Sequence, residues 1–150
     1  MKSNYIRIVS VTASLVTLLI AASMLSSCDS SEDPIASVDV VRAKLTASNW
    51  KVSTVTVDGT DNTALYSDLA LTFTNTAFSS LQGGGVWPAS GTWTFPTTEA
   101  TAILRNDGVV ATIQEITDKT LKLELVWNKN TIGPGRIQSV SGKHVFTFGK

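Results

Sequence analysis

The chain has 150 residues, 12 basic against 12 acidic, with one histidine and one cysteine. That length holds one ordinary domain. One cysteine excludes an intrachain disulfide framework and a thiolate-rich zinc site, one histidine excludes a two-histidine metal site within the chain, and zero formal charge gives nucleic acid no electrostatic reason to bind.

Lys2 and Arg7 make a positive start, and Ile8 to Leu25 then runs without a charge. The run is diluted by Ser10, Thr12, Ser14, Thr17 and Ser23 and ends in small residues. A positive region, an apolar region and a small-residue exit describe a secretory signal peptide over residues 1–27. At its exit, Leu25-Ser26-Ser27-Cys28 resembles the lipobox of bacterial lipoproteins. That resemblance implies lipidation of Cys28: the thiol takes a diacylglyceryl group, the chain is cut before it, and the new amino group is acylated. Such chemistry needs a thiol for the thioether and small neighbours to admit the peptidase. A single acyl chain binds a membrane only marginally, at about 0.8 kcal/mol per buried CH₂, so two or three chains on one residue make a durable anchor. Cleavage leaves 123 residues, with 10 basic against 12 acidic.

Asp29-Ser30-Ser31-Glu32-Asp33-Pro34 follows, polar and acidic, with Pro34 opposing a helix. Residues 28–35 read as a solvated tether, whose seven or so extended residues reach at most ~25 Å. Acidic residues just after the lipidated cysteine also resemble the surface-export signal of Bacteroidetes lipoproteins. The expected location is the bacterial outer membrane, on the cell surface or the periplasmic face, with the surface favoured.

Residues 36–150 form the folded domain. Val38, Val41 and Leu45 recur at helical spacing and Ser37 is placed to cap, which predicts a helix of about two turns over Ser37 to Leu45. From Trp50 the period changes to two. Eighteen of the 123 residues are Thr, many alternating with large apolar residues, a pattern that suits a pleated, half-buried surface. Strands are predicted at Trp50–Val57, Leu69–Thr74, Thr92–Phe95, Thr101–Arg105, Val109–Ile116, Leu121–Trp127 and His144–Phe148, and more weakly at Phe78–Gln82 and Gly135–Val140. Asn106-Asp107-Gly108 and Thr117-Asp118-Lys119 signal hairpins. No connection is long and periodic enough for a crossover helix, which disfavours a parallel sheet. Two connections are longer: Asp58 to Asp68, and Asn128 to Ser141 with Gly133-Pro134-Gly135 inside it. The expected fold is all-β, an eight-stranded antiparallel up-and-down barrel with a short N-terminal helix; a two-sheet β-sandwich is the alternative.

Leu45-Thr46-Ala47-Ser48-Asn49-Trp50-Lys51-Val52, then Val57-Asp58-Gly59, resembles the start of lipocalin-like domains in Bacteroidetes lipoproteins. Ser90-Gly91-Thr92-Trp93-Thr94-Phe95, Arg105-Asn106-Asp107-Gly108 and Gly135 to Phe148 are in the same style. Two features depart from the lipocalin pattern: Ser48 stands where a glycine is usual two residues before the Trp, and about 105 residues make a short-stranded barrel with a small interior. The resemblance implies a lipid-anchored module that binds a small hydrophobic or amphipathic molecule, lined by Leu71, Phe73, Trp93, Phe95, Leu123, Leu125, Trp127 and Phe146. Threonines or His144 at the rim would orient it. The alternative is a structural or interaction lipoprotein, its barrel filled, whose loops contact an envelope protein or glycan. Trp87, flanked by glycines and a proline, is the candidate loop contact; its plainer reading is a plug at one end of the core.

No set of residues announces catalysis, so no enzyme activity, cofactor or metal is expected. His144 shares the parity of Phe146 and Phe148, and no nucleophile elbow accompanies it. Asp58, Asp61, Asn62 and Asp68 lack calcium-loop spacing and read as a solvated turn. Glu115 and Glu124 alternate with core residues and so face water rather than a glycosidic bond.

Overall fold

The computed structural model describes residues 38–133 and 136–150, without the side chains of 131–138. The signal peptide, Cys28 and the tether lie outside the described residues, as do Pro134 and Gly135.

Helix α1 (Val38–Thr46) buries Val41 and Leu45 on one stripe and ends where Thr46 Oγ1 bonds back to the Arg42 carbonyl at 3.0 Å. Strands β1 (Asn49–Val57), β2 (Thr60–Asp61), β3 (Ala70–Phe73), β4 (Ala77–Leu81) and β5 (Ser90–Thr94) follow, with a 3₁₀ turn at Thr63–Tyr66. Then come β6 (Ala102–Arg105), β7 (Val110–Ile116), β8 (Thr120–Trp127), the short hairpin β9 (Thr131–Gly133) and β10 (Arg136–Ser139), and β11 (Gly142–Gly149). Each long strand pairs antiparallel with its neighbour, in the order β1-β3-β4-β5-β6-β7-β8-β11. β11 pairs again with β1 from Lys51↔Gly149 to Val57↔His144, so the sheet closes into an eight-stranded up-and-down barrel. The sandwich alternative is excluded by that closing ladder.

Alternation puts one face of the barrel strands into the core: Leu121, Leu123 and Leu125 on β8, and His144, Phe146 and Phe148 on β11, are buried. Two bulges reset the parity. Ser53 is the extra residue on β1, so Trp50 and Val52 face in before it and Val55 and Val57 after it. Gln114 does the same on β7, between Ile113 and Ile116.

Turn chemistry matches the sequence. Asp107 Oδ1 accepts from Val109 N at 3.2 Å, and Gly108 takes φ +84°. Thr117 Oγ1 accepts from Thr120 N at 2.9 Å in the β7–β8 hairpin. The long connection after β1 is not one loop. Asp58 (φ 49°) and Gly59 (φ 82°) form a two-residue hairpin into β2, with left-handed backbone at both positions.

Helix α1 closes the barrel end where β1 begins. Trp50 Nε1 donates to the Leu45 carbonyl at 2.9 Å, and the Arg42 guanidinium lies 5.2 Å from the Trp93 ring and 5.0 Å from Phe95. The opposite end carries the β4–β5 loop, the 3₁₀ turn and the β6–β7 hairpin.

Candidate functional site

The barrel interior is an unbroken series of rings. From the loop end, His144 stacks on Phe146 at 5.6 Å and Phe146 on Phe148 at 6.0 Å along β11. Tyr66 meets Phe146 edge-on at 5.4 Å, and so does Trp87 at 6.1 Å. Trp87 continues to Phe78 at 5.8 Å, Phe78 to Phe73 at 6.4 Å, Phe73 to Trp93 at 5.9 Å and Trp93 to Phe95 at 4.9 Å. Edge-to-face pairs at such spacings fill space as a protein core does.

The expected lining residues Leu71, Phe73, Trp93, Leu123, Leu125, Trp127 and Phe146 all lie in this buried core. Phe95 differs: it follows the end of β5, is half-buried, and lies under Arg42 at the helix end. Trp127 sits at the loop end, where its Nε1 donates to Ser139 Oγ at 3.2 Å. Seven of the eight therefore belong to one buried core, and Phe95 packs against its edge.

Two expectations are corrected. Trp87 is 1 % exposed, so it is a plug and not an exposed contact. The reason is the loop that carries it. Ser80 Oγ lies 2.9 Å from the Trp87 and Pro88 carbonyls, and Trp87 N donates to Gly83 O at 3.0 Å, folding the segment inward. His144 lies toward the loop end but is fully buried, not an open rim residue. Its Nδ1 lies 3.1 Å from the Gly142 carbonyl and its Nε2 3.1 Å from the Tyr66 hydroxyl. A neutral ring protonated at Nδ1 donates to Gly142 and accepts from Tyr66, which satisfies both. Burial lowers the His144 pKa, and pushes that of Tyr66 up to about 12.

One interior group carries a charge. Arg105 ends β6 on the same parity as Ile103 and is 2 % exposed. Its Nη1 donates to the Val86 carbonyl at 2.7 Å, its Nε donates to Asp107 Oδ1 at 3.1 Å, and its Nη2 pairs with Asp107 Oδ2. The guanidinium lies 4.8 Å from the Trp87 ring and 5.6 Å from Phe78. Burial raises the Asp107 pKa, but the hydrogen bond and charge of Arg105 outweigh it and hold the carboxyl below its usual range. The shared parity of Ile103 and Arg105 was a sequence signal, masked because a charge at a strand end ordinarily faces water.

Asp58 and Asp61 serve the backbone, and Glu115 and Glu124 face other side chains. Asp58 Oδ1 accepts from Lys143 N at 2.9 Å and Asp61 Oδ1 from Thr63 N at 2.8 Å. Glu115 lies opposite Lys122, and Glu124 opposite Thr112, where it accepts from Gln114 Nε2 at 2.6 Å. Among the described residues no cluster of three or more His, Cys, Asp or Glu side chains is placed to hold a metal ion.

A hollow of about 490 Å³ lies along β7 and β8 beside the Asp107-Gly108 turn, lined by Val110, Thr112, Glu124 and Val126, with Trp127 and Lys129 at its edge. Val110 and Val126 are 47 % and 58 % exposed.

No family model, curated protein or solved structure matches the chain.

Proposed function

We propose that the chain is a lipoprotein of the bacterial outer membrane, anchored through acylated Cys28, whose filled barrel acts as a rigid scaffold and meets an envelope protein or glycan through its outer surface. The observation that carries the scaffold reading is the ring series from His144 to Phe95, which runs large aromatic side chains in mutual contact through the barrel interior. The hollow beside Val110 and Val126 sets two exposed valines among Thr112, Glu124 and Lys129, a mixed surface open to a contact. The lipobox resemblance at Leu25 to Cys28 supports the anchor.

The test uses the full chain in its own cells, with a photo-crosslinking residue at Val126 or at Ser79, an exposed position on β4. A discrete adduct from Val126 and none from Ser79 is expected. Equal labelling from both, or none from either, would remove the contact reading. Cys28→Ser releases the protein from membranes if the anchor is right; retention in the membrane fraction would overturn it.

A second reading, carriage of a small molecule, has one observation in its favour. Part of the loop end is covered by Trp87, a buried side chain on a glycine-rich segment that belongs to no strand.

A further inference from the structure

We infer that the Gly83–Pro88 segment is a lid, and that its opening uncovers a site beside Arg105 for a neutral molecule bearing an apolar ring and one oxygen acceptor. The inference rests on the carriage reading and says what that cargo is and how it enters.

The four indole N–H groups are not equally satisfied. Trp50 donates to Leu45 O, Trp93 to Thr74 O and Ala77 O, and Trp127 to Ser139 Oγ. Trp87 Nε1 is buried and finds no partner. A buried donor without an acceptor destabilises the state that buries it, so the closed lid carries a penalty that outward movement relieves. None of the other indoles has that reason to leave.

The attachment of the segment favours the same movement. Three consecutive glycines precede Val86, Gln82 is held at φ 53° and Gly84 at φ 60°, and the segment belongs to neither β4 nor β5. Glycines in series let the backbone turn through conformations that other residues resist. Gly83 is also required for closure. A Cβ there would lie 2.2 Å from Trp87 O and 2.5 Å from Trp87 Cβ.

The contacts of Arg105 define the ligand. In the closed state the lid supplies Arg105 with two things: the Val86 carbonyl on Nη1 and the Trp87 ring on its face. When the lid leaves, Arg105 keeps Asp107, which balances its charge. A replacement must then offer a neutral oxygen in place of Val86 O, since a carboxylate would meet the Asp107 charge. It must also offer a flat apolar ring in place of the indole, against Phe78 and Phe146. Ring-bearing alcohols, phenols and ketones meet both demands; fatty acid anions do not.

The full chain, labelled with 5-fluorotryptophan and purified in detergent, is titrated with 2-naphthol and with 2-naphthoate at equal free concentrations fixed by dialysis. Trp87→Phe assigns the Trp87 fluorine signal, and Trp50, Trp93 and Trp127 are internal references. Expected are a saturable move of the Trp87 signal alone toward the solvent-exposed position with 2-naphthol, and binding at least tenfold weaker for 2-naphthoate. Gly83→Ala, which forces the lid outward, should tighten 2-naphthol binding about tenfold, because the closed population no longer competes. If 2-naphthol binds while Trp87 stays buried, or if 2-naphthoate binds as well, the lid inference fails and carriage survives. Unchanged affinity in a folded Gly83→Ala protein also overturns the lid. If neither probe binds either protein, carriage fails and the lid with it. Should Gly83→Ala not fold, the wild-type fluorine signal decides alone.

Discussion

Arg105 is the residue whose placement departs most from what its type suggests. A guanidinium inside a small barrel is tolerable because Asp107, the Val86 carbonyl and two ring faces together replace water. Arg105→Ala removes the pairing, orphans Val86 O and leaves a void, and should cost about 3 kcal/mol in urea unfolding. Arg105→Met keeps the volume and should cost clearly less; equal losses would mean that the polar network, not packing, holds the site. His144 supplies a pH dependence. Its folded pKa is lowered by burial, so below about pH 6.5 the unfolded chain binds the proton more readily, and stability falls with pH until the folded pKa is passed. Tyr66 works at the other extreme: its raised value makes stability fall as pH rises from about 10 to about 12. His144→Phe should flatten the acid limb of a melting-temperature profile and leave the alkaline limb in place. The inward parity of His144 was readable from Phe146 and Phe148, but its depth was not, because the Tyr66 hydroxyl that satisfies it comes from a turn that alternation does not describe.

At the scale of elements, the long alternating strands were legible, and so were the helix and the Asp107-Gly108 hairpin. What alternation misreads is where it breaks. The bulges at Ser53 and Gln114 leave no mark in composition, since polar residues continue across them while the inward face changes parity. The β1–β2 hairpin had a signal, Asp58-Gly59, but the two-residue strand after it is too short for periodicity to show. These turns depend on backbone that only glycine adopts freely. Gly59 and Gly108 have positive φ and nothing within 4 Å of a built Cβ, so a side chain there meets strain without a clash. Gly59→Ala and Gly108→Ala should each lower stability by ~1 kcal/mol. Gly91→Ala should lower it more, because its Cβ would come 2.6 Å from Asn106 Oδ1 and from the Phe78 ring. Chemical denaturation of the three variants tests that order, and equal losses would show that φ rather than close approach governs all three.

For the molecule as a whole, closure was the feature that no local pattern specified. Each hairpin is written in its own residues, yet the pairing of β1 with β11 joins the two ends of the domain and is fixed only by what both strands bury. The wall that results is uneven. β8 and β11 pair over eight registers from Thr120↔Gly149 to Trp127↔Gly142, whereas β5 and β6 pair only at Trp93↔Arg105 and Thr94↔Leu104. Asn106 extends that seam by accepting from Thr92 N and donating to Thr92 O, both with single bonds. Local opening follows the density of protected backbone bonds, so amide exchange should reach the global unfolding limit in β8 and β11 and run well ahead of it at Thr94 and Leu104. The β4–β5 loop that carries Trp87 enters the strand on this seam, which places the plug beside the weakest part of the barrel wall. Native-state hydrogen exchange reads both at once. Faster exchange confined to β5, β6 and Trp87 N would make the seam and the plug one opening unit, whereas protection at Thr94 equal to that of Leu123 would make the wall uniform and leave the loop to move alone.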